Sequence, residues 1–295
     1  MKTDLTDAAT EAAFGLGWRA VKRMPERASD ALFRGLADRT WRKQGPSVRQ
    51  LERNLQRVRP ELSPGELREL SREGMRSYLR YWNEAFRLPA WSHERISSTF
   101  DLRGHEIMDA AIGAGQGIIM APGHMANWDH AGAWAALRYG SVTTVAERLK
   151  PEGVFNQFLD YRRTLGMDVV PHGAPDVIRA LARTLNSGGL VALLGDRDVG
   201  RNGVDVTMFG ETARIPGGPA LLSIMTGAPL YPVSMWFDGD MLRGQVYPAV
   251  PIPEGGDTSA RVAQMCQGLA DALCDGIRQH PADWHMMQKV WVSDL

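Results

Sequence analysis

From about residue 100 onward the chain alternates short apolar runs with helix-patterned stretches, and no other feature restricts its fold as much. Strand-like runs fall at Gly117 to Ala121, Val142 to Ala146, Met167 to Val170, Leu190 to Leu194, Leu230 to Trp236 and Met241 to Val250. Helical stretches lie between them at Asn127 to Tyr139, Pro151 to Leu165, Asp176 to Asn186 and Gly217 to Thr226, and a last one covers Thr258 to Gln279. Strands separated by helices form βαβ units. The expected class is therefore α/β: a central, mostly parallel sheet flanked by helices. Residues 11–88 differ, reading as helices broken at Pro25, at Gly45-Pro46 and from Pro60 to Gly65. Ser63-Pro64-Gly65-Glu66 starts one of them, with Ser as N-cap, Pro at the first position and Glu at the third. The domain expectation is an N-terminal helical, membrane-associating region over 1–90 and an α/β core over 91–295.

One strand end carries candidate chemistry. Ile118-Ile119-Met120-Ala121 is stopped by Pro122-Gly123, and His124 follows. Asn127 suits an N-cap, so Asp129 falls in the first turn of the next helix. His124 then sits at the carboxyl end of a strand, where open α/β sheets place ligands. A carboxylate reaching back from Asp129 to one imidazole nitrogen fixes the tautomer and leaves the other nitrogen to take a proton. For this pair alone, a turn His beside an ordinary helix-start acid is the plainer reading.

Further polar groups close other strands. Glu147-Arg148 follows the second and Asp196-Arg197-Asp198 the fourth. Such charges also occur simply where a strand surfaces, but their recurrence at successive carboxyl ends favours a site. Period-two alternation puts Asp196 and Asp198 on one side and Arg197 on the other. One of the two carboxylates then helps His124 hold a proton or binds substrate hydroxyls. Phe209 to Pro219 reads as a Gly/Pro-rich loop leading into a helix N-terminus, whose free N–H groups can meet a phosphate or oxyanion. No nucleophile elbow, Walker loop or zinc-ligand spacing occurs, and Gly113-Ala114-Gly115-Gln116-Gly117 precedes a strand, so it reads as a turn. Cys266 and Cys274, the two cysteines present, point to no disulfide framework.

The net charge of zero hides an asymmetry. Residues 1–60 carry 13 Lys/Arg against 7 Asp/Glu, net +6, so the remainder is net −6. Phe14, Leu16, Trp18, Leu32, Phe33 and Leu36 are interspersed with these cations. Such a stretch suits the headgroup layer of an anionic membrane, and equally a helical hairpin packed on the core with a solvated basic face. No nucleic-acid-binding motif accompanies it. No apolar run approaches the ~20 residues of a membrane span, and the N-terminus lacks a signal-peptide pattern.

Taken together, His124-x4-Asp129 after an apolar strand resembles the His-x4-Asp motif of glycerolipid acyltransferases. More specifically, the chain resembles the lipid A lauroyl/myristoyl acyltransferase family and, within it, the actinobacterial phosphatidylinositol mannoside acyltransferases. The supporting stretches are Ala121 to Asp129, Glu147 to Glu152, Tyr161 to Met167, Asp196-Arg197-Asp198, Phe209 to Pro219 and His280 to His285. The resemblance implies transfer of a fatty acyl chain from acyl-CoA, a co-substrate, to a sugar hydroxyl of a membrane glycolipid, a mannose of phosphatidylinositol mannoside. It implies no cofactor and no metal, and peripheral attachment to an anionic membrane at the cytoplasmic face of the inner membrane. Its catalytic set maps onto His124, Asp129 and Asp198, and its substrate-binding set onto Glu147, Arg162, Asp196, Arg197 and Arg214. A general base fits a poorly nucleophilic sugar hydroxyl, and developing thioester oxyanion charge needs N–H or cationic donors, for which the Gly217-Gly218 amides and Arg214 are candidates. An acyl-CoA hydrolase and a catalytically inactive membrane scaffold are the alternative functions.

Overall fold

The alternation beyond residue 100 folds into a seven-stranded sheet of order β1-β9-β8-β2-β5-β3-β4. The strands are β1 (Phe100–Arg103), β2 (Ile118–Pro122), β3 (Val142–Ala146), β4 (Met167–Pro171), β5 (Leu190–Ala192), β8 (Leu230–Asp238) and β9 (Met241–Val246). Neighbouring strands run parallel except β8 and β9, which pair antiparallel. Gly239, at φ 56°, supplies the positive φ that lets a two-residue turn join those two. The computed structural model describes residue 15 and residues 17–147, 151–198, 200 and 203–295. Phe14, Leu16 and Arg148 lie outside the described residues.

The helices follow the expected stretches closely. They are α1 (Glu26–Arg42), α2 (Pro46–Val58), α3 (Pro64–Arg87), α4 (His93–Ser98), α5 (His105–Gly113), α6 (Trp128–Tyr139), α7 (Glu152–Thr164), α8 (Val177–Asn186), α9 (Gly218–Thr226) and α10 (Thr258–Gln279). Ser63 and Glu66 form the expected capping box at α3. Asn127 caps α6 by accepting from the His130 N–H at 3.0 Å. Five elements depart from expectation: α4 and α5 are short helices in a stretch where no helix is expected, and three strands are added. Phe100–Arg103 adds an edge strand before β2, and the segment expected as a loop before α9 is a hairpin of β6 (Val204–Met208) and β7 (Glu211–Ile215). Its turn residues Phe209 and Gly210 both have positive φ, as a primed two-residue turn requires.

The strand order creates the site. The chain leaves β2 through α6 and returns at β3, two places to one side; it leaves β5 and returns at β8, two places to the other. Adjacent strands whose connections diverge leave a crevice at their carboxyl ends. α6 covers the face carrying Met120, Ala192 and Val233. On the opposite face, Ser234 packs against Gly276 of α10. Both faces of β2 are therefore covered, and Ile118 to Ala121 are buried throughout.

α1 to α3 pack on this core. Val58, Tyr81, Ala85 and Leu88 join the main apolar cluster, while Ala37, Val48, Leu51, Leu55 and Met75 form a smaller one. Trp18 donates its indole N–H to the Phe86 carbonyl at 2.9 Å and packs edge-on to Tyr161, and Phe33 is buried. These aromatics face the protein. The large apolar residues that α1 leaves exposed are Leu32 and Leu36. Among the described residues no helix is long and apolar enough to cross a membrane.

Candidate active site

The turn after β2 presents His124, and the ladder places its partner. Beyond the end of β5, Leu193 N–H still donates to Met120 O at 2.9 Å and Gly195 N–H to Pro122 O at 2.8 Å. These bonds carry the chain alongside the His124 turn and bring Asp196 under the imidazole. His124 Nδ1 lies 2.6 Å from Asp196 Oδ1. The other oxygen, Oδ2, accepts from the backbone N–H of His124 at 2.7 Å and from the indole N–H of Trp284 at 2.8 Å. Asp196 is completely buried. Burial pulls its carboxyl pKa up, but the His124 charge and these hydrogen bonds outweigh burial and leave it below the ordinary value. An ionised carboxylate only accepts, so Nδ1 carries the proton. In the neutral ring Nε2 then keeps its lone pair, and the ring lines a cavity.

The expected His124–Asp129 contact is therefore replaced by His124–Asp196. Asp129, also buried, accepts from Arg162 Nε at 2.9 Å and from the Tyr81 hydroxyl at 2.9 Å. Tyr81 stacks on Trp128, with ring centroids 4.1 Å apart, and Trp128 meets the His124 ring edge-on at 5.6 Å. Asp129 thus ties α3, α6 and α7 behind the histidine and does not touch it through a hydrogen bond. The cause is local. Asn127 starts α6 immediately before Trp128, and the intervening residue Ala126 holds φ 45°, an uncommon value for a residue with a side chain. That turn is clamped from outside: Ala126 N–H donates to Asp283 O at 2.9 Å and His285 N–H to His124 O at 2.8 Å.

The cavity in front of His124 holds about 620 Å³. Trp128, Glu147, Arg162, Arg197, Asp198 and the Gly217-Gly218 start of α9 line it. Arg197 reaches toward Glu147, 3.6 Å away, and its Nε is buried without a partner among the described residues. Asp198 is not on the histidine. Its two oxygens accept from Gly200 N–H at 2.9 Å and Gly203 N–H at 3.0 Å. The expected alternation of Asp196, Arg197 and Asp198 fails because β5 ends at Ala192. Arg214 is not brought to the cavity; its guanidinium pairs with Asp205 across the hairpin at 2.7 Å. Beneath α6 a second, apolar cavity of about 100 Å³ shares Trp128, Val145, Arg162 and Leu194 with the first.

The sequence profile of bacterial lipid A biosynthesis acyltransferases matches residues 3–293. The chain belongs to this acyltransferase family. It is 42% identical over 288 residues to a phosphatidylinositol mannoside acyltransferase of Mycolicibacterium smegmatis, covering 97% of this chain and 92% of that protein. It is also 42% identical over 301 residues to a phosphatidylinositol mannoside acyltransferase of Mycobacterium tuberculosis, covering 100% and 92%. In this acyltransferase the residues that local reading misses are the distant ones. Tyr81 lies 48 positions before Asp129, and Trp284 lies 88 after Asp196. No spacing rule links such positions; only the packing of distant elements does.

Proposed function

We propose that this acyltransferase moves a fatty acyl chain from acyl-CoA to a hydroxyl of a membrane glycolipid, a mannose of phosphatidylinositol mannoside, with His124 as general base. The single observation that carries the reading is the His124–Asp196 pair, which holds the proton on Nδ1 and turns an unprotonated Nε2 toward the cavity. In this mechanism Nε2 takes the proton of the sugar hydroxyl as its oxygen attacks the thioester carbon. The tetrahedral oxyanion collapses, the C–S bond breaks, and the imidazolium returns the proton to the departing thiolate. Arg197 and the Gly217-Gly218 amides line the same cavity and supply donors for the oxyanion. The small apolar space under α6 has room for a few methylenes of an aliphatic chain, and the relatives' names support the acceptor.

The attachment proposed is peripheral, at the cytoplasmic face of the inner membrane. It rests on Leu32 and Leu36, which are exposed on α1 among the exposed Arg27, Arg34 and Arg39.

The test is an assay of purified protein with a panel of acyl-CoAs and phosphatidylinositol mannoside, read by mass spectrometry. His124→Ala is expected to lower transfer by roughly 10²–10⁴-fold, the usual contribution of a general base, with an unchanged circular dichroism spectrum. Comparable rates in folded mutant and parent remove His124 as base. Acyl-CoA turnover without an acylated acceptor would instead identify a hydrolase.

A further inference from the structure

The carboxylate that orients His124 is itself oriented from the far end of the chain. Asp196 has its Oδ1 on the imidazole and its Oδ2 shared by two donors. One of these is the N–H of the residue it serves, so it moves with that residue. The other, the Trp284 indole, is held by contacts of its own, both at the turn and in the core. Trp284 is fully buried, its backbone pairs with Met125, and its ring meets Trp291 edge-on at 6.1 Å. A buried carboxylate with one oxygen held at a fixed point cannot rotate its other oxygen off Nδ1. We propose that Trp284 is a positioning residue for acyl transfer, its indole N–H pinning Asp196 so that His124 keeps the tautomer and tilt its task needs. This rests on the reading of His124 as the base.

Trp284 also acts on the proton itself. The positive end of its N–H dipole points at the pair and opposes a proton residing there. Removing it raises the pH at which the pair releases its proton. His285, the titratable neighbour that feels both His124 and Asp196, is held neutral because burial and the His124 charge push its pKa down to about 3, so it does not mask the effect.

The experiment replaces Trp284 by Phe and, where Phe impairs folding, by β-(3-benzothienyl)alanine, which has the shape of tryptophan without the N–H. The expected result is a fall in kcat of about tenfold to a hundredfold, the usual range for a lost hydrogen bond to a charged group, with KM within about twofold. The acid limb of the kcat/KM profile should move up by about half a pH unit or more. In an Asp196→Asn background the same replacement should change kcat by less than about twofold, since the carboxylate through which it acts is gone. A merely structural role would give equal losses in both backgrounds and an unmoved acid limb, and that result overturns the proposal. So does a benzothienyl variant with the parent's kcat and profile while His124→Ala is inactive, an outcome that leaves the base in place. If His124→Ala itself keeps the parent rate, the base reading falls and the proposal with it.

Discussion

At the scale of residues, the His124 turn rests on two buried groups with opposed titrations. Asp283 accepts from the Ser77 hydroxyl at 2.6 Å and from Phe237 N–H at 3.2 Å, and burial pushes its carboxyl pKa up to about 6. Ser77 also lies 2.8 Å from Nε2 of His285, which burial holds down to about 3. A carboxyl raised from 3.8 to about 6 gives stability that is present at low pH and lost as pH rises through 6, on the order of 3 kcal/mol in all. A histidine lowered from 6.5 does the reverse: its stability is present above 6.5 and lost on acidification. Between about pH 6 and 4 the two slopes oppose and largely cancel. Asp283→Asn is expected to expose the histidine's slope, so that the variant loses stability on acidification by ~1.4 kcal/mol per pH unit more than the parent. Urea unfolding at a series of pH values measures this, and parallel curves for the two proteins would contradict it. His124, the strand-end turn and the polar triplet could all be seen in the sequence. Which acid serves the histidine could not, because that depends on β5 lying beside β2, a neighbour 72 positions away.

At the scale of elements, the Asp129–Arg162 pair joins α6 to α7, and Tyr81 adds α3. Both charges lie largely out of water: the Asp129 side chain is 1% exposed and that of Arg162 17%. Breaking such a pair from one side strands the remaining charge, at about 3–5 kcal/mol. Asp129→Asn should therefore lower stability by about that amount, and Asp129→Asn with Arg162→Met should recover much of it because no buried charge remains. Denaturant titration decides; a double variant no more stable than the single one would show that the pair does not carry this energy. Transfer by Asp129→Asn should fall less than by His124→Ala, since the His124–Asp196 bond is left intact. Strand and helix positions were readable wherever an apolar period ran for a whole element, as in β3 and α10. β6 and β7 were not, because Gly203, Gly210 and the Gly217-Gly218 cluster mark turns and hide one short alternating strand in each gap between them. The half-polar edge strand β1, four residues long, carries too few periods to announce itself.

At the scale of the whole molecule, a chain of zero net charge can bind an anionic surface only through a face on which one sign is concentrated. α1 is the candidate, with four arginines exposed against the exposed Glu26 and Asp30. Leu32 and Leu36 are 44% and 42% exposed one turn apart, and the basic side chains of Arg27, Arg34, Arg39 and Arg42 are exposed on the same helix. Trp18 and Phe33 are packed inward, so insertion falls to the leucines and attraction to the arginines. Each cation near an anionic leaflet contributes ~1 kcal/mol, screened beyond about 8–10 Å at physiological salt. The full chain should therefore sediment with phosphatidylglycerol-containing vesicles and be released as salt rises. Arg27→Gln with Arg34→Gln should weaken partitioning by on the order of tenfold or more at low salt. Leu32→Ser with Leu36→Ser should weaken it at low and high salt alike, because burial of apolar area is not screened. Both double variants lie away from His124 and should keep the parent's turnover on detergent-dispersed substrate. Equal, salt-independent sedimentation with neutral vesicles, or parent-like binding by both variants, would mean that α1 is only a packed helix with a solvated basic face.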